Sequence, residues 1–322
     1  MARYLVTGAA GFIGAAVSEL LLKDGYTVVG LDNLNDAYDV RMKVKRLNKL
    51  TEVKGFTFHK NDISNRHTIE KFKDESFDAI VHLAARAGVR FSVENPWEFI
   101  NSNVTGTLNM LELCRQAGTK KFILASTSSI YGADPPYPTT ESAESSQPLQ
   151  PYAASKKAAE VLCHAYHHLY GLDVSVLRYF TVYGPAGRPD LALFRFVKWI
   201  REGQAVIVHG NGLQSRGFTY IDDIARGTVQ ALKPVGYEII NLGGAEVTSL
   251  QGVIGMIEAA TGKKAEIHYE PGNPVDVATS WANTTKAMDL LGWEPKVDMP
   301  SGVAQTAAWY EQERGWAKEI KL

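Results

Sequence analysis

A tyrosine at 152 and a lysine at 156, in the stretch PYAASKKAAE, stand one turn apart on the same face of any helix that contains both. A phenol ordinarily keeps its proton to about pH 10. It becomes a useful base near neutrality only where positive charge stabilises the phenolate. Thr127, Ser128 and Ser129, in STSSIYG, add hydroxyls at the end of an upstream strand pattern that could share a substrate proton. Taken alone, Y-x-x-x-K is commonly a surface tyrosine beside a solvated lysine. What distinguishes this pair is what else the chain supplies, and in what order.

The first companion is TGAAGFIG, in which Gly8, Gly11 and Gly14 follow a strand pattern and open a helix pattern. Bare backbone there permits a tight turn and lets a dinucleotide pyrophosphate sit on the helix N-terminus, where N–H groups and the helix dipole favour negative charge. The spacing is G-x-x-G-x-x-G rather than the more common G-x-G-x-x-G. Turn glycines are frequent, so the motif needs support. Asp32, closing the second strand pattern TVVGLD, gives it: a carboxylate there bonds the adenosine ribose hydroxyls and repels a 2′-phosphate, which favours NAD over NADP. Asp62, in NDI after a third strand, is placed beside the adenine or caps a turn. An oxidised nicotinamide next to Lys156 would lower the Tyr152 pKa toward neutrality.

These residues must be positioned by elements. Short β-branched runs alternate with helical stretches: YLVTG, FIGAAVSELLLKDG, TVVGLD, AIVHLA, NSNVTGTLNMLELCRQAG, KFILAS, YAASKKAAEVLCHAYHHLYG and DVSVLRY. That alternation predicts an α/β fold, a doubly wound parallel (Rossmann) sheet with right-handed crossovers. After Tyr179 the pattern gives way to Gly-, Pro-, Asn- and Arg-rich stretches, with YEIINLGG as a later strand returning to the sheet. The division expected is residues 1–180 plus about 218–248 for NAD, and about 181–217 plus 249–322 as a smaller interleaved α/β domain for the substrate.

Composition narrows the function classes. The 322 residues carry 34 Lys and Arg against 35 Asp and Glu, a net charge of −1, so no global positive field holds nucleic acid or an anionic membrane. The two cysteines, Cys114 and Cys163, suggest neither a disulfide framework nor a metal site. With no leader pattern and no long apolar run, the expectation is a soluble, cytoplasmic protein. His164, His167 and His168 share helical spacing but lack the acid that a zinc helix would carry, so no metal is expected and a helix–helix contact is the simpler role.

Along nearly its whole length the chain resembles the extended short-chain dehydrogenase/reductases, and within them the nucleotide-sugar epimerases. TGAAGFIG, LDNLND, HLAARAGVRFS, NVTGTLN, STSSIYG, PYAASKKAAE, RYFTVYGPAGRPD, FTYIDDIARG and LLGWEPK follow the family order. LDNLNDAYDVRMKVKRL, HLAARAGVRFSVENP and RYFTVYGPAGRPD are similar to the subgroup acting on UDP-glucuronate and UDP-galacturonate. The resemblance implies retained NAD, Tyr152 as base, Lys156 supporting it and Thr127 in the Ser/Thr position. It extends the cofactor wall to Phe12, Ile13, Asn33, Asn35, Ile63, Leu83, Ala84, Ala85, Asn103 and Tyr179. It also implies a homodimer formed through residues 98–117 and 153–170.

The implied reaction oxidises the sugar at C4, turns the 4-keto sugar and reduces it on the other face. A C4 ketone is β to the C5 carboxylate of a glucuronate, so loss of carbon dioxide must be avoided. Hydroxyls of Thr127, Ser128 and Thr181, with Arg188 as charge partner, would hold that carboxylate. Arg216, and Arg90 with Arg86, would serve the diphosphate, and Asp276 the nucleoside ribose. Departures from relatives are Gly217 after Arg216, and Asn273 and Val275 before Asp276. The Asp-Glu pair of the dehydratases is replaced by Ser128-Ser129, which disfavours dehydration. UDP-glucuronate decarboxylation, or action on another nucleotide sugar as in UDP-glucose 4-epimerases, is the nearest alternative. A net dehydrogenase or a cofactor-sensing regulator is the more distant one.

Overall fold

The computed structural model describes residues 1–244, 246–272 and 277–322. Its first half alternates strand and helix: β1 (Arg3–Thr7), α1 (Phe12–Lys23), β2 (Thr27–Asp32), α2 (Val40–Thr51), β3 (Phe56–Lys60), α3 (His67–Phe72) and β4 (Ala79–His82). Helices α4 (Val89–Glu94) and α5 (Pro96–Phe99) lead through a π-helical turn, Ile100–Thr105, into α6 (Gly106–Ala117). Strand β5 (Lys121–Thr127), a 3-10 turn at Ser128–Tyr131, α7 (Pro151–Tyr170) and β6 (Asp173–Tyr179) follow.

The remainder mixes short strands with helices: β7 (Val182–Tyr183), α8 (Ala192–Glu202), β8 (Val206–His209), β9 (Ser215–Arg216), β10 (Thr219–Tyr220), α9 (Ile221–Gln230) and β11 (Tyr237–Leu242). It closes with β12 (Thr248–Ser249), α10 (Leu250–Thr261), β13 (Ile267–Glu270), β14 (Thr279–Ser280), α11 (Thr285–Leu291) and α12 (Met299–Ala317).

Seven parallel strands form the main sheet in the order β11-β6-β5-β4-β1-β2-β3. Successive side chains point to opposite faces, and both faces are covered. Val6, Val81, Ile123 and Leu177 enter one core with α1 and α9, while Leu5, Ile80, Leu124 and Val176 enter another with α6 and α7. That double burial explains why β4 and β5 read as continuous apolar runs. The chain reverses direction across the sheet between β1 and β4, the switch point where such folds open a ligand crevice at the strands' C-terminal ends.

A third core joins α8, α10 and α12 to the parallel pair β8 and β13, through Phe194, Phe196, Ile200, Val253, Ile257, Val303 and Tyr310. Phe12 and Met42, from the sheet side, belong to this core as well, so the two parts of the molecule share packed side chains across the cleft that separates them.

Candidate active site

Helix α7 fixes the candidate pair, Tyr152 and Lys156. Gln150 caps it by accepting from the Ala153 N–H at 3.3 Å, Pro151 fills its first turn, and Gly171 ends it in the left-handed region at φ 64°. Tyr152 packs edge-on against Phe99, with ring centroids 6.1 Å apart. Lys156, one turn on, is only 2% exposed. Burial pushes the lysine down to about 8, against the raising effects of Cys163 and Glu160.

Burial also holds the Tyr152 phenol above its ordinary value, more strongly than a hydrogen bond from Thr127 and the charge of Arg188 draw it down. This corrects the expectation of a phenol lowered by its lysine neighbour: the protein charge that acts on Tyr152 is Arg188, and the nicotinamide charge in that expectation belongs to the bound cofactor. Thr127 ends β5, and its Oγ1 accepts from the Ser129 N–H at 3.2 Å, which starts the 3-10 turn and sets Ser128 and Ser129 beside it.

These groups sit in a cleft of about 790 Å³. Its first wall contains Gly8, Gly11, Phe12, Ile13, Gly14, Asp32, Asn33, Asn35, Asp62, Ile63, Leu83, Ala84, Ala85 and Tyr179. Gly8 is left-handed at φ 71°, and a Cβ on it would lie 2.8 Å from the Ala84 nitrogen; one on Gly14 would lie 2.0 Å from the Gly8 carbonyl oxygen. Only bare backbone can close this turn against the helix start. Asp32 accepts from the Leu34 N–H at 2.8 Å and the Ala10 N–H at 3.2 Å, so the same carboxylate that could take ribose hydroxyls also ties the loops around it. Asp62 accepts from Asn33 at 2.8 Å and from Ser64; burial alone would raise it, but these hydrogen bonds bring its pKa below the usual value. The cradle, the helix start and the carboxylate at the end of β2 fit a dinucleotide. Asn103 lies outside this wall: fully buried in the π-helical turn, its amide bonds the Arg86 backbone at 2.8 and 3.0 Å and Ser155 at 2.9 Å.

Thr127, Ser128, Thr181, Arg188, Arg90 and Arg216 line the rest of the cleft. Asp190 clamps the Arg188 guanidinium at 3.0 and 2.6 Å, and the Ala87 carbonyl accepts from it at 3.2 Å. Arg216 donates to the Ser215 and Val277 carbonyls at 2.7 and 2.8 Å. At Gly217 a Cβ would meet the Trp281 ring at 3.3 Å, a packing reason for glycine after Arg216. Asp276, Asn273 and Val275 lie outside the described residues. Arg86 is no part of the cleft wall: it pairs with Glu98 at 2.9 Å and stacks over Phe91.

Sequence reasoning missed Tyr38, Lys43 and Arg195, all on the wall. Lys43 donates to Asn35 at 2.7 Å and approaches Asp32 at 3.6 Å. Arg195 stacks over Trp199, its Nε has no partner among the described residues, and burial and then Arg90 lower its pKa. A lone arginine inside the apolar run ALFRFVKW was the available signal.

A sequence profile described as the NAD dependent epimerase/dehydratase family matches residues 4–243. The chain belongs to that family. NAD is therefore its cofactor. A UDP-glucuronate 4-epimerase of Thermodesulfobacterium geofontis is 53% identical, the match covering 100% of both chains. The UDP-glucuronic acid 4-epimerase of Bacillus cereus, solved with UDP-glucuronic acid and NAD, superposes with a TM-score of 0.91 at 37% identity, covering 97% of this chain and 99% of that one. A UDP-glucose 4-epimerase of Thermotoga maritima with UDP-glucose gives 0.90 at 32% identity, with the same coverage.

The family's expected sheet is the one observed. Within the chain, His164 and His167 of α7 pack on the Tyr237 ring in β11, and a ring N–H of His167 donates to the Leu172 carbonyl at 2.8 Å. Among the described residues no group of His, Cys, Asp or Glu is arranged to hold a metal ion, and no helix is long and apolar enough to cross a membrane.

Proposed function

We propose that this family member is a UDP-glucuronate 4-epimerase, interconverting UDP-glucuronate and UDP-galacturonate. The observation that carries the reading is one cleft in which Tyr152 and Lys156 meet a hydroxyl set, Thr127, Ser128 and Thr181, with Arg188 beside it. The full-length similarity to UDP-glucuronate 4-epimerases supports it.

NAD, when held by the Gly8, Gly11 and Gly14 turn and Asp32, would supply the hydride acceptor and donor for C4. Tyr152 Oη takes the proton of the sugar 4-hydroxyl and gives it back to the C4 oxygen after the 4-keto sugar has turned. Thr127 hydrogen-bonds the phenol and steadies that proton. Lys156 places a cation beside the nicotinamide end of the cleft, and the burial that brings it to about 8 keeps its charge responsive to pH. The hydroxyls of Thr127, Ser128 and Thr181 hold the C5 carboxylate by hydrogen bonds, with Arg188, itself clamped by Asp190, completing the site. The cofactor wall and Asn103 behind it form the NAD unit, residues 1–180 plus about 218–248. The remaining segments, with Arg90, Arg216 and Asp276, hold the nucleotide sugar. The enzyme works as a homodimer in the cytoplasm.

Purified protein mixed with UDP-glucuronate and no added cofactor, followed by proton NMR, tests this. UDP-galacturonate without decarboxylated product is the expected result. Carbon dioxide with a pentose product would make it a decarboxylase, and turnover of UDP-glucose alone would remove the carboxylate site. Tyr152→Phe is expected to lower kcat by about 10²- to 10⁴-fold while the protein still retains NAD by absorbance.

A further inference from the structure

We propose that Arg46 is a positioning residue that latches the glycine loop to the turn carrying Arg188, and that this latch keeps the sugar carboxylate from the alignment that loses carbon dioxide. The chemical consequence rests on the UDP-glucuronate reading; the latch does not. Arg46 lies on α2 and is 7% exposed, yet it belongs to no ion pair among the described residues. Its donors go to three separate segments. Nη1 donates to the Ala10 carbonyl at 3.2 Å, in the glycine loop, and to Tyr38 Oη at 2.8 Å, in the loop after β2. Nε and Nη2 both donate to the Ala186 carbonyl, at 3.2 and 2.6 Å, and Nη2 reaches the Gly187 carbonyl at 3.4 Å. The guanidinium also lies 5.8 Å from the Phe12 ring centroid and 5.7 Å from that of Tyr38.

This arrangement uses what only arginine offers, a planar fork serving several acceptors at once. The turn it grips is unusual in its own right. Ala186 is left-handed at φ 54°, a conformation alanine adopts only when its surroundings impose it. Two residues on, Arg188 donates to the Ala87 carbonyl and projects its charge onto Tyr152. Arg46 therefore sets the distance between the dinucleotide loop and the cation beside the reacting phenol.

That distance matters once C4 is a ketone. If the C5–C6 bond aligns with the carbonyl π system, it breaks, carbon dioxide leaves, and the electron pair passes into a C4 enolate. The enolate takes a proton at C5, giving a UDP-4-keto-pentose and stranding the cofactor as NADH. A loosened 184–188 turn lets the carboxylate reach that geometry.

The test compares wild type, Arg46→Met and Arg46→Lys on UDP-glucuronate by proton NMR, with hydrogen exchange of the same proteins. Arg46→Met is expected to make UDP-galacturonate about tenfold to a hundredfold more slowly, with a severalfold larger share of the 4-keto-pentose and NADH left in the protein. Arg46→Lys is expected to recover only part of both. Amides of residues 184–192 are expected to exchange about tenfold faster in Arg46→Met while those of β4 to β6 stay unchanged. An unchanged product ratio at reduced rate, or exchange raised evenly over the molecule, would show a merely structural arginine and overturn the proposal. Should wild type make no UDP-galacturonate, the substrate reading falls, and the exchange pattern alone decides the latch.

Discussion

Lys156 illustrates how a single buried charge is both useful and costly. With its pKa brought from 10.5 to about 8, the folded protein at pH 7 holds a charged ammonium that the unfolded chain would solvate freely, a burden of about 3 kcal/mol. Below about pH 8 both states are protonated and the burden is complete. Between about 8 and 10.5 the unfolded state binds more protons, so wild-type stability rises with pH. Lys156→Met is thus expected to be more stable than wild type by about 1–3 kcal/mol at pH 7 after removal of NAD, with the gap closing toward pH 10, while epimerisation is lost. Urea unfolding at the two pH values checks it; a variant less stable at pH 7 would contradict the argument. This residue was legible because its chemistry is local: four positions from a tyrosine, on one helix face. Arg46 and Arg195 were not, because an arginine's acceptors, or their absence, are created by segments up to 141 positions away.

At the scale of elements, His82 joins three of them. Thr7 at the end of β1 accepts from the Leu83 and Ala84 N–H groups, both at 3.1 Å, so its own proton goes to His82 Nδ1 at 2.8 Å. Nε2 then carries the proton and donates to Thr107 of α6 at 3.2 Å, whose hydroxyl donates to the Asn103 carbonyl at 2.6 Å. Burial, and secondarily the charge of Lys156, push this imidazole down to about 3. Its folded pKa lies below the unfolded value of 6.5, so its stabilising contribution is complete above pH 6.5. As pH falls, the unfolded chain takes the proton first, and wild type loses about 1.4 kcal/mol per pH unit down to about pH 3. His82→Asn is expected to be less stable at pH 7 by about 1–3 kcal/mol, with that deficit shrinking by about 2 kcal/mol at pH 5. Chemical denaturation at both pH values checks this, and a deficit independent of pH would refute it. The strand AIVHLA was readable from its apolar run, but the histidine's partners were not. Nor was the break of NSNVTGTLNMLELCRQAG into a π-helical turn and α6, since both share one apolar periodicity. The two-residue strands β9, β12 and β14 carry no pattern at all; they exist because Arg216 pairs with Thr248 and Ser280, and Ser215 with Ser249 and Thr279.

For the whole molecule, the doubly wound parallel sheet followed from alternation, whereas the second part depends on contacts between distant segments that no local period announces. One surface links this architecture to catalysis. Helix α7 carries Tyr152 and Lys156 at its N-terminal end, and farther along exposes Val161 at 60%, Leu169 at 65% and Tyr170 at 51%. Leu108 on α6 and Trp97 on α5 are exposed beside the same layer, which Glu112 and Tyr166 tie together by a hydrogen bond of 2.6 Å. A second copy packed there would bury this apolar surface, at roughly 25 cal/mol per Å², and would brace the helix that holds Tyr152, the proposed base. The wild-type protein is expected to scatter light as twice 35.4 kDa. Leu108→Glu combined with Val161→Glu is expected to give a folded monomer, because both side chains point away from the core. Its kcat is expected to fall about tenfold with unchanged NAD content, since bracing acts on the Tyr152 geometry rather than on the dinucleotide cradle. A monomeric wild type would remove the dimer, and a monomeric variant with full kcat would show that α7 holds its base without a partner.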